Sequence, residues 1–224
     1  MFLNVYLKEP QQKAQACIIW LHGLGADAKD MSSLAEQMPL TAPVRHVFID
    51  APVRTVTLNN NMSMRAWYDI IGVKLTDRED REGIAQSEAM IRKVIENQRL
   101  DGFKYNQIFL AGFSQGSAMA LITGLRTTAP LGGIIALSGY LPLAAECEPV
   151  LDNSTPIFIA AGLFDPVVWL AWTKASFTWL QSRGFTQLTW MEYSMEHTIC
   201  NEEINDLARW LTLQISSKHN AMES

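Results

Sequence analysis

Clustered positive charge is missing from this 224-residue sequence, in which 18 Lys and Arg face 23 Asp and Glu for a formal net charge of −5. No basic run exceeds a residue or two, so nothing is offered to a phosphate backbone and nucleic acid is not expected as a partner. Long uncharged apolar stretches are absent too. None reaches the roughly 18 residues of a membrane span. The first residues, MFLNVYLKEPQQK, lack a basic start followed by a sustained apolar run and do not read as a signal peptide. Cysteine is scarce: Cys17, Cys147 and Cys200 are odd in number and widely spaced, which suits a reducing compartment and provides no metal-ligand spacing. HGLGA lacks the Gly-Lys-Ser/Thr of a phosphate loop. No metal or cofactor is expected, and a cytoplasmic protein is the expectation. Repeats, low-complexity tracts and linkers are also missing.

What is present is apolar. Hydrophobic residues make up 48% and charged residues 18%, enough to bury the core of one domain over 1–224. Short β-branched runs recur at 16–21, 44–49, 107–112, 132–139, 156–162 and 186–193. Near-continuous apolarity over such lengths suits strands buried on both faces of a parallel sheet. Helical spacing fills the gaps. Ile84, Met90, Ile91, Val94 and Ile95 share a stripe within 83–100, and Ile204, Leu207, Ala208 and Leu211 share another within 202–215. The stretch 169–184 ends in Gly184 after Arg183, a helix stop. Alternation of this kind predicts an α/β fold with a mainly parallel central sheet flanked by helices. A polar tail is expected from about Ser216.

One stretch carries chemistry. Gly112-Phe113-Ser114-Gln115-Gly116 sits where an apolar strand gives way to a small-residue helix, the pattern of a nucleophile elbow. The glycines allow a tight bend that lifts the Ser114 hydroxyl above the sheet edge, at a helix N-terminus. A serine hydroxyl needs a base, and the base needs an orienting acid. On such an elbow the chain order is Ser, then Asp or Glu, then His. His22 and His46 precede Ser114; His197 and His219 follow it, and His219 lies in the polar tail, so His197 is the expected base. Asp165 falls just after the 156–162 strand and is the expected acid. Its rival Asp152 precedes that strand, at the wrong sheet edge, and Glu192 and Glu196 lie too close to His197 in sequence. Asp165 also has the bland reading of a helix starter with Pro166 at the first helical position. The loop HGLG after the first buried strand suits a second oxyanion donor, so the Leu24 and Gln115 N–H groups are the expected pair. His22 is expected to shape this loop.

The segment 52–70 breaks the rhythm. Asn59, Asn60 and Asn61 favour turns, and their flanks could pair as short strands. Met62, Met64 and Trp67 then either pack the loop onto the body or line an apolar acyl groove.

WLHGLGADAKDM, MRAWYDI, LAGFSQGSAMAL, GLFDPVV and MEHTICNEEI together resemble the carboxylesterase/phospholipase family of α/β-hydrolases, which includes the acyl-protein thioesterases. The resemblance implies a compact hydrolase without a large lid domain, acting on short to medium acyl esters, on lysophospholipids or on acylated proteins, often as a homodimer. Carried across, Ser114 is the nucleophile, Asp165 the acid, His197 the base, and Leu24 and Gln115 the oxyanion hole. Three positions depart from the usual pattern. Ser117 replaces a glycine, Ala161 precedes Gly162 in place of histidine, and Trp169 stands where proline is common. With Trp172 nearby, Trp169 either narrows the acyl site or only packs a helix. A hydrolase-like binding protein without activity is the rival of a different class; reaction with a serine-directed fluorophosphonate separates the two.

Overall fold

The six apolar runs become six strands of one seven-stranded sheet. A computed structural model describes residues 3–72, 78–149 and 153–223, the side chains of 219–223 apart. In chain order the elements are β1 (Asn4–Lys8), β2 (Ala16–Leu21), α1 (Ala28–Gln37), β3 (Val44–Asp50), β4 (Val53–Val56) and β5 (Met62–Arg65). They continue with α2 (Arg81–Leu100), β6 (Ile108–Phe113), α3 (Gln115–Leu125), β7 (Gly133–Leu137), β8 (Ile157–Gly162), α4 (Leu170–Ser182), β9 (Leu188–Tyr193) and α5 (Asn201–Glu223). The sheet order is β1-β3-β2-β6-β7-β8-β9. Only β1 runs antiparallel, pairing with β3. It is the one strand of this sheet that sequence reading did not anticipate, because all five of its residues are exposed and it carries no buried run.

Alternation along each strand divides the core. Ile19, Leu21, Leu110, Ile134 and Ile159 face α2, α3 and α4. Ile18, Trp20, Phe109, Ile135 and Phe158 face α1 and α5. Side chains of period two point to opposite faces, so a sheet buried on both sides needs apolar residues at every position. Helix ends follow their chemistry. Asp27 accepts from the Lys29 N–H at 2.8 Å and the Asp30 N–H at 3.3 Å, while the Asp30 carboxylate accepts from the Asp27 N–H at 3.1 Å. That reciprocal box starts α1. Gly184, at φ 82°, closes α4 as its Arg183-Gly184 ending predicts.

The Asn run does turn the chain. Asn60 and Asn61 take φ of 54° and 58°, and β4 pairs antiparallel with β5 as a separate two-stranded ribbon. The polar stretch from Ser216 is not a separate tail: α5 continues through it to Glu223, and the Lys218 ammonium donates to the Gly132 carbonyl at 2.8 Å. Asp165 does not start a helix either, since α4 begins at Leu170 with Trp169 at the cap.

Helix α5 seals the second core layer through Trp210, which meets Phe109 edge-on at 6.3 Å and Phe158 at 5.7 Å. Trp210→Ala is expected to cost about 3–5 kcal/mol of unfolding free energy. Urea denaturation should show this as a lower midpoint with an unchanged slope.

The first turn of α5 also buries Glu203 completely, with no well-placed hydrogen-bond partner for either oxygen. Burial pushes its pKa from 4.5 up to about 8, against a small lowering by the Cys200 backbone. The folded state therefore holds a proton that the unfolded chain releases between those values. Stability is complete below the unfolded value and drains as pH rises through about 8. Glu203→Gln should flatten the fall in melting temperature between pH 5 and 9 and make the variant the more stable protein at the alkaline end. An unchanged pH profile would place the proton elsewhere.

Candidate active site

The elbow is a strained bend. Ser114 has φ 54° and ψ −119°, a region that costs a non-glycine residue of the order of 1–3 kcal/mol. The strain is held from both sides. The Ser114 N–H donates to the Leu137 carbonyl at 2.9 Å, and the Ser114 carbonyl accepts from the Ala118 N–H at 3.1 Å. The two glycines have steric reasons. A Cβ at Gly112 would lie 2.2 Å from the Gly116 carbonyl oxygen, and one at Gly116 would lie 2.2 Å from the Leu21 carbonyl oxygen. Ser117 is tolerated because it packs against Gly139, where no side chain competes for the space.

Two loops at the far side of the sheet are zipped together. The Leu163 N–H donates to the Tyr193 carbonyl at 2.9 Å and the Phe164 N–H to the Met195 carbonyl at 3.0 Å. This brings the loop after β8 against the loop after β9, and with it Asp165 against His197. His197 Nδ1 lies 2.7 Å from Asp165 Oδ2, and His197 Nε2 lies 2.8 Å from Ser114 Oγ. The other carboxylate oxygen is already occupied, since Asp165 Oδ1 accepts from the Val167 and Val168 N–H groups, each at 2.8 Å. Only Oδ2 is left for the imidazole. A carboxylate accepts, so Nδ1 carries the proton and Nε2 is free to take one from the serine. The Asp165 side chain is 1% exposed and that of His197 19%, and the Phe113 ring lies 4.8 Å from the imidazole.

The other histidines are engaged elsewhere. His22 is fully buried. Its Nδ1 donates to the Gly23 carbonyl at 2.6 Å and its Nε2 accepts from the Ala51 N–H at 3.0 Å. Burial lowers its pKa, which keeps the ring neutral and shapes the loop. His46, on β3, accepts from the Trp20 indole at 3.0 Å, and burial with Lys8 nearby pushes its pKa down to about 4. The side chain of His219 and the rival acid Asp152 lie outside the described residues.

Beside Ser114 opens a cavity of about 260 Å³, walled by Leu24, Tyr68, Ile70, Phe113, Gln115, Tyr140, Val167, Val168 and His197. Leu24 and Gln115 flank the serine, and among the described residues neither of their N–H groups donates to a backbone acceptor. The residues expected to line a groove are not on these walls. Trp67 is fully buried, because its indole N–H points inward to the His22 carbonyl at 2.8 Å. Met62 is 58% exposed on the ribbon, and Met64, half-buried, accepts from the Asn59 amide. Trp169 is exposed and stacks on Trp172 at 5.0 Å. Sequence reading missed Tyr68, Ile70, Tyr140, Val167 and Val168 as wall residues. A signal existed for three of them. Tyr140, Val167 and Val168 follow the C-terminal ends of β7 and β8, the edge where parallel sheets bind ligands.

Among the described residues no group of three or more His, Cys, Asp or Glu could hold a metal ion. No helix there is long and apolar enough to cross a membrane.

Comparison with known proteins agrees with this architecture. The phospholipase/carboxylesterase family model matches residues 4–215. Acyl-protein thioesterase 1 of Yarrowia lipolytica is 35% identical over 205 residues, covering 88% of this chain and 90% of the relative. Acyl-protein thioesterase 1 homolog 1 of Dictyostelium discoideum is 31% identical over 214 residues, covering 93% and 95%. Among solved structures, Zea mays acyl-protein thioesterase 2 superimposes with a TM-score of 0.82 at 26% identity, covering 95% of this chain and 99% of that one. A match that spans nearly the whole sheet, elbow and closing helix shows the family: this chain belongs to the phospholipase/carboxylesterase family of α/β-hydrolases.

Proposed function

We propose that the chain hydrolyses short to medium acyl esters through an acyl-enzyme on Ser114, with His197 as base and Asp165 as its orienting acid. Membership of the family makes it a serine hydrolase of esters or thioesters. The observation that carries the finer reading is the continuous Ser114–His197–Asp165 hydrogen-bond chain of 2.8 and 2.7 Å. His197 Nε2 takes the hydroxyl proton as Oγ attacks the carbonyl carbon, and the Asp165 carboxylate stabilises the imidazolium. The Leu24 and Gln115 N–H groups receive the charge that develops on the carbonyl oxygen. The imidazolium then returns its proton to the departing alcohol or thiol, and a water repeats the sequence to release the acid.

Cavity size favours a short acyl chain. At about 260 Å³ it lies just below the roughly 300–1,000 Å³ usual for ligand pockets. The relatives named acyl-protein thioesterase favour a second substrate class, a protein S-acyl thioester. Lysophospholipid is a third, since all three share the carbonyl chemistry. A cytoplasmic homodimer acting without metal or cofactor belongs to the same proposal, and light scattering after size-exclusion chromatography decides the assembly.

Ser114→Ala should lower kcat by about 10⁴ or more while the circular dichroism spectrum stays unchanged. It should also abolish labelling by a fluorophosphonate. A folded variant that keeps a tenth of the activity would remove Ser114 from the mechanism. Asp165→Asn keeps the shape but loses the charge, and the expected loss in kcat is up to about 10⁴-fold.

The acyl chain is assigned to the cavity wall rather than to the Met62–Met64 ribbon. Each methylene held there contributes about 0.8 kcal/mol, roughly fourfold in kcat/KM. Ile70→Phe should therefore reduce octanoyl ester hydrolysis at least about tenfold more than acetyl ester hydrolysis. Equal losses, or a selective loss only in Met62→Ser/Met64→Ser, would return the acyl track to the ribbon.

A further inference from the structure

The two oxyanion donors proposed above come from different parts of the chain. Leu24 follows β2, whereas Gln115 opens α3. An oxyanion hole works only when both donors lie about 2.7–3.1 Å from the position the oxygen will occupy. Something must hold one loop at a fixed distance from the other.

We infer that the Arg65–Tyr68 segment and the Gln115 side chain form one hydrogen-bonded bracket that fixes this spacing, with Trp67 as its positioning residue; the inference rests on the proposed roles of the Leu24 and Gln115 N–H groups. On one arm the Gln115 amide is fully engaged. Its Oε1 accepts from the Trp67 N–H at 2.8 Å, and its Nε2 donates to the Tyr68 carbonyl at 2.7 Å. Both partners are backbone groups, so no rotamer change on their side can relax the clamp. On the other arm the Trp67 indole N–H donates to the His22 carbonyl at 2.8 Å, and the two rings lie 5.5 Å apart. The Gly25 N–H donates to the Arg65 carbonyl at 2.8 Å. Leu24 is thus gripped on both sides by the same four-residue segment. The segment is itself anchored, because the Ser87 hydroxyl of α2 donates to the Trp67 carbonyl.

Packing alone does not account for this. A buried apolar residue at 67 and an apolar residue of similar length at 115 would fill the same space. Trp67 and His22 are fully buried and Gln115 is 5% exposed. At such burial each polar atom costs free energy unless paired, and here the Gln115 amide pairs with the Trp67 and Tyr68 backbone while the Trp67 indole pairs with the backbone of the loop after β2. The bonds carry position, and the ring carries volume.

The test separates the two. Trp67→Phe removes the indole N–H and keeps an aromatic ring; Gln115→Met removes the amide and keeps both length and the backbone N–H. Active sites are counted by fluorophosphonate titration, so that kcat refers to reactive serine only. Each variant should lose about 10–100-fold in kcat, less than the roughly 10²–10³ of deleting a donor, with KM for a p-nitrophenyl ester changed less than about threefold. The inhibition constant of a trifluoromethyl ketone, whose serine adduct carries the oxyanion, should weaken by the same factor. The double variant should lose little beyond the worse single, as expected of residues acting as one unit. Should Trp67→Phe fail to fold, Gln115→Met carries the same comparison. An unchanged kcat per titrated serine overturns the bracket. So does a loss confined to KM or to the titrated fraction, and so do losses that multiply in the double variant. Failure of the ester-hydrolase reading looks different: the unaltered protein would not be labelled, or Ser114→Ala would keep its activity.

Discussion

The closeness of α3 to β2 is the constraint on which the rest of the site depends. A Cβ at Gly116 would fall 2.2 Å from the Leu21 carbonyl and 2.6 Å from the His22 carbonyl, so the helix start rests directly on the end of the neighbouring strand. That contact allows the chain to reverse over the single residue Ser114. It also sets the first helical turn, where the leading N–H groups have no acceptor inside the helix, beside the loop that follows β2. Strain at Ser114 is acceptable because it is over-determined. The Leu137 and Ala118 hydrogen bonds on either side leave the bend no cheaper conformation.

Geometry at the site is held by backbone pairing more than by side-chain packing. Asp165 reaches His197 because Leu163 and Phe164 extend the pairing of β8 with the β9 end. The carboxylate then points one oxygen at the imidazole because the other is taken by two N–H groups of its own turn. His22, whose HGLG setting invites a catalytic reading, is spent on the Gly23 carbonyl and the Ala51 N–H. Asp165 and His22 are therefore each held in one direction by backbone groups, which is what a site needs in order not to reorganise as charge develops.

Much of this was legible in the residues, and the reasons differ by element. Ser114 announces itself because a strained turn demands glycines at fixed offsets, and Asp165 and His197 follow from chain order and sheet edge. The strand β1 was not legible, since an exposed edge strand needs no apolar pattern. Trp67 misled for a definite reason. An indole next to a turn looks the same in sequence whether its flat face meets a substrate or its N–H meets the His22 carbonyl. The extension of α5 past Ser216 was hidden because composition marks solvent exposure and not helix ends. The cavity wall was the hardest to read, because Tyr68 and Ile70 come from the connection after β5 and Tyr140 from the loop after β7, and no spacing rule connects the two.

That last difficulty has a structural meaning. The residues proposed for chemistry sit at strand ends and are tied into the sheet, whereas several on the cavity wall hang on loops between elements. Ile70 lies just before the residues that precede α2, and Tyr140 lies beyond β7. Loop residues of this kind can change volume without disturbing the Ser114–His197–Asp165 chain, so one scaffold can serve esters, thioesters and lysolipids by altering its walls. Trp67 marks the boundary between the two sets. It belongs to the same ribbon-to-helix connection as Ile70, yet it faces inward and bonds to the loop before Leu24. Within four residues the chain passes from the segment proposed to fix a donor to the wall proposed to shape the substrate space, so variation at position 70 should shift acyl preference whereas variation at position 67 should slow every ester.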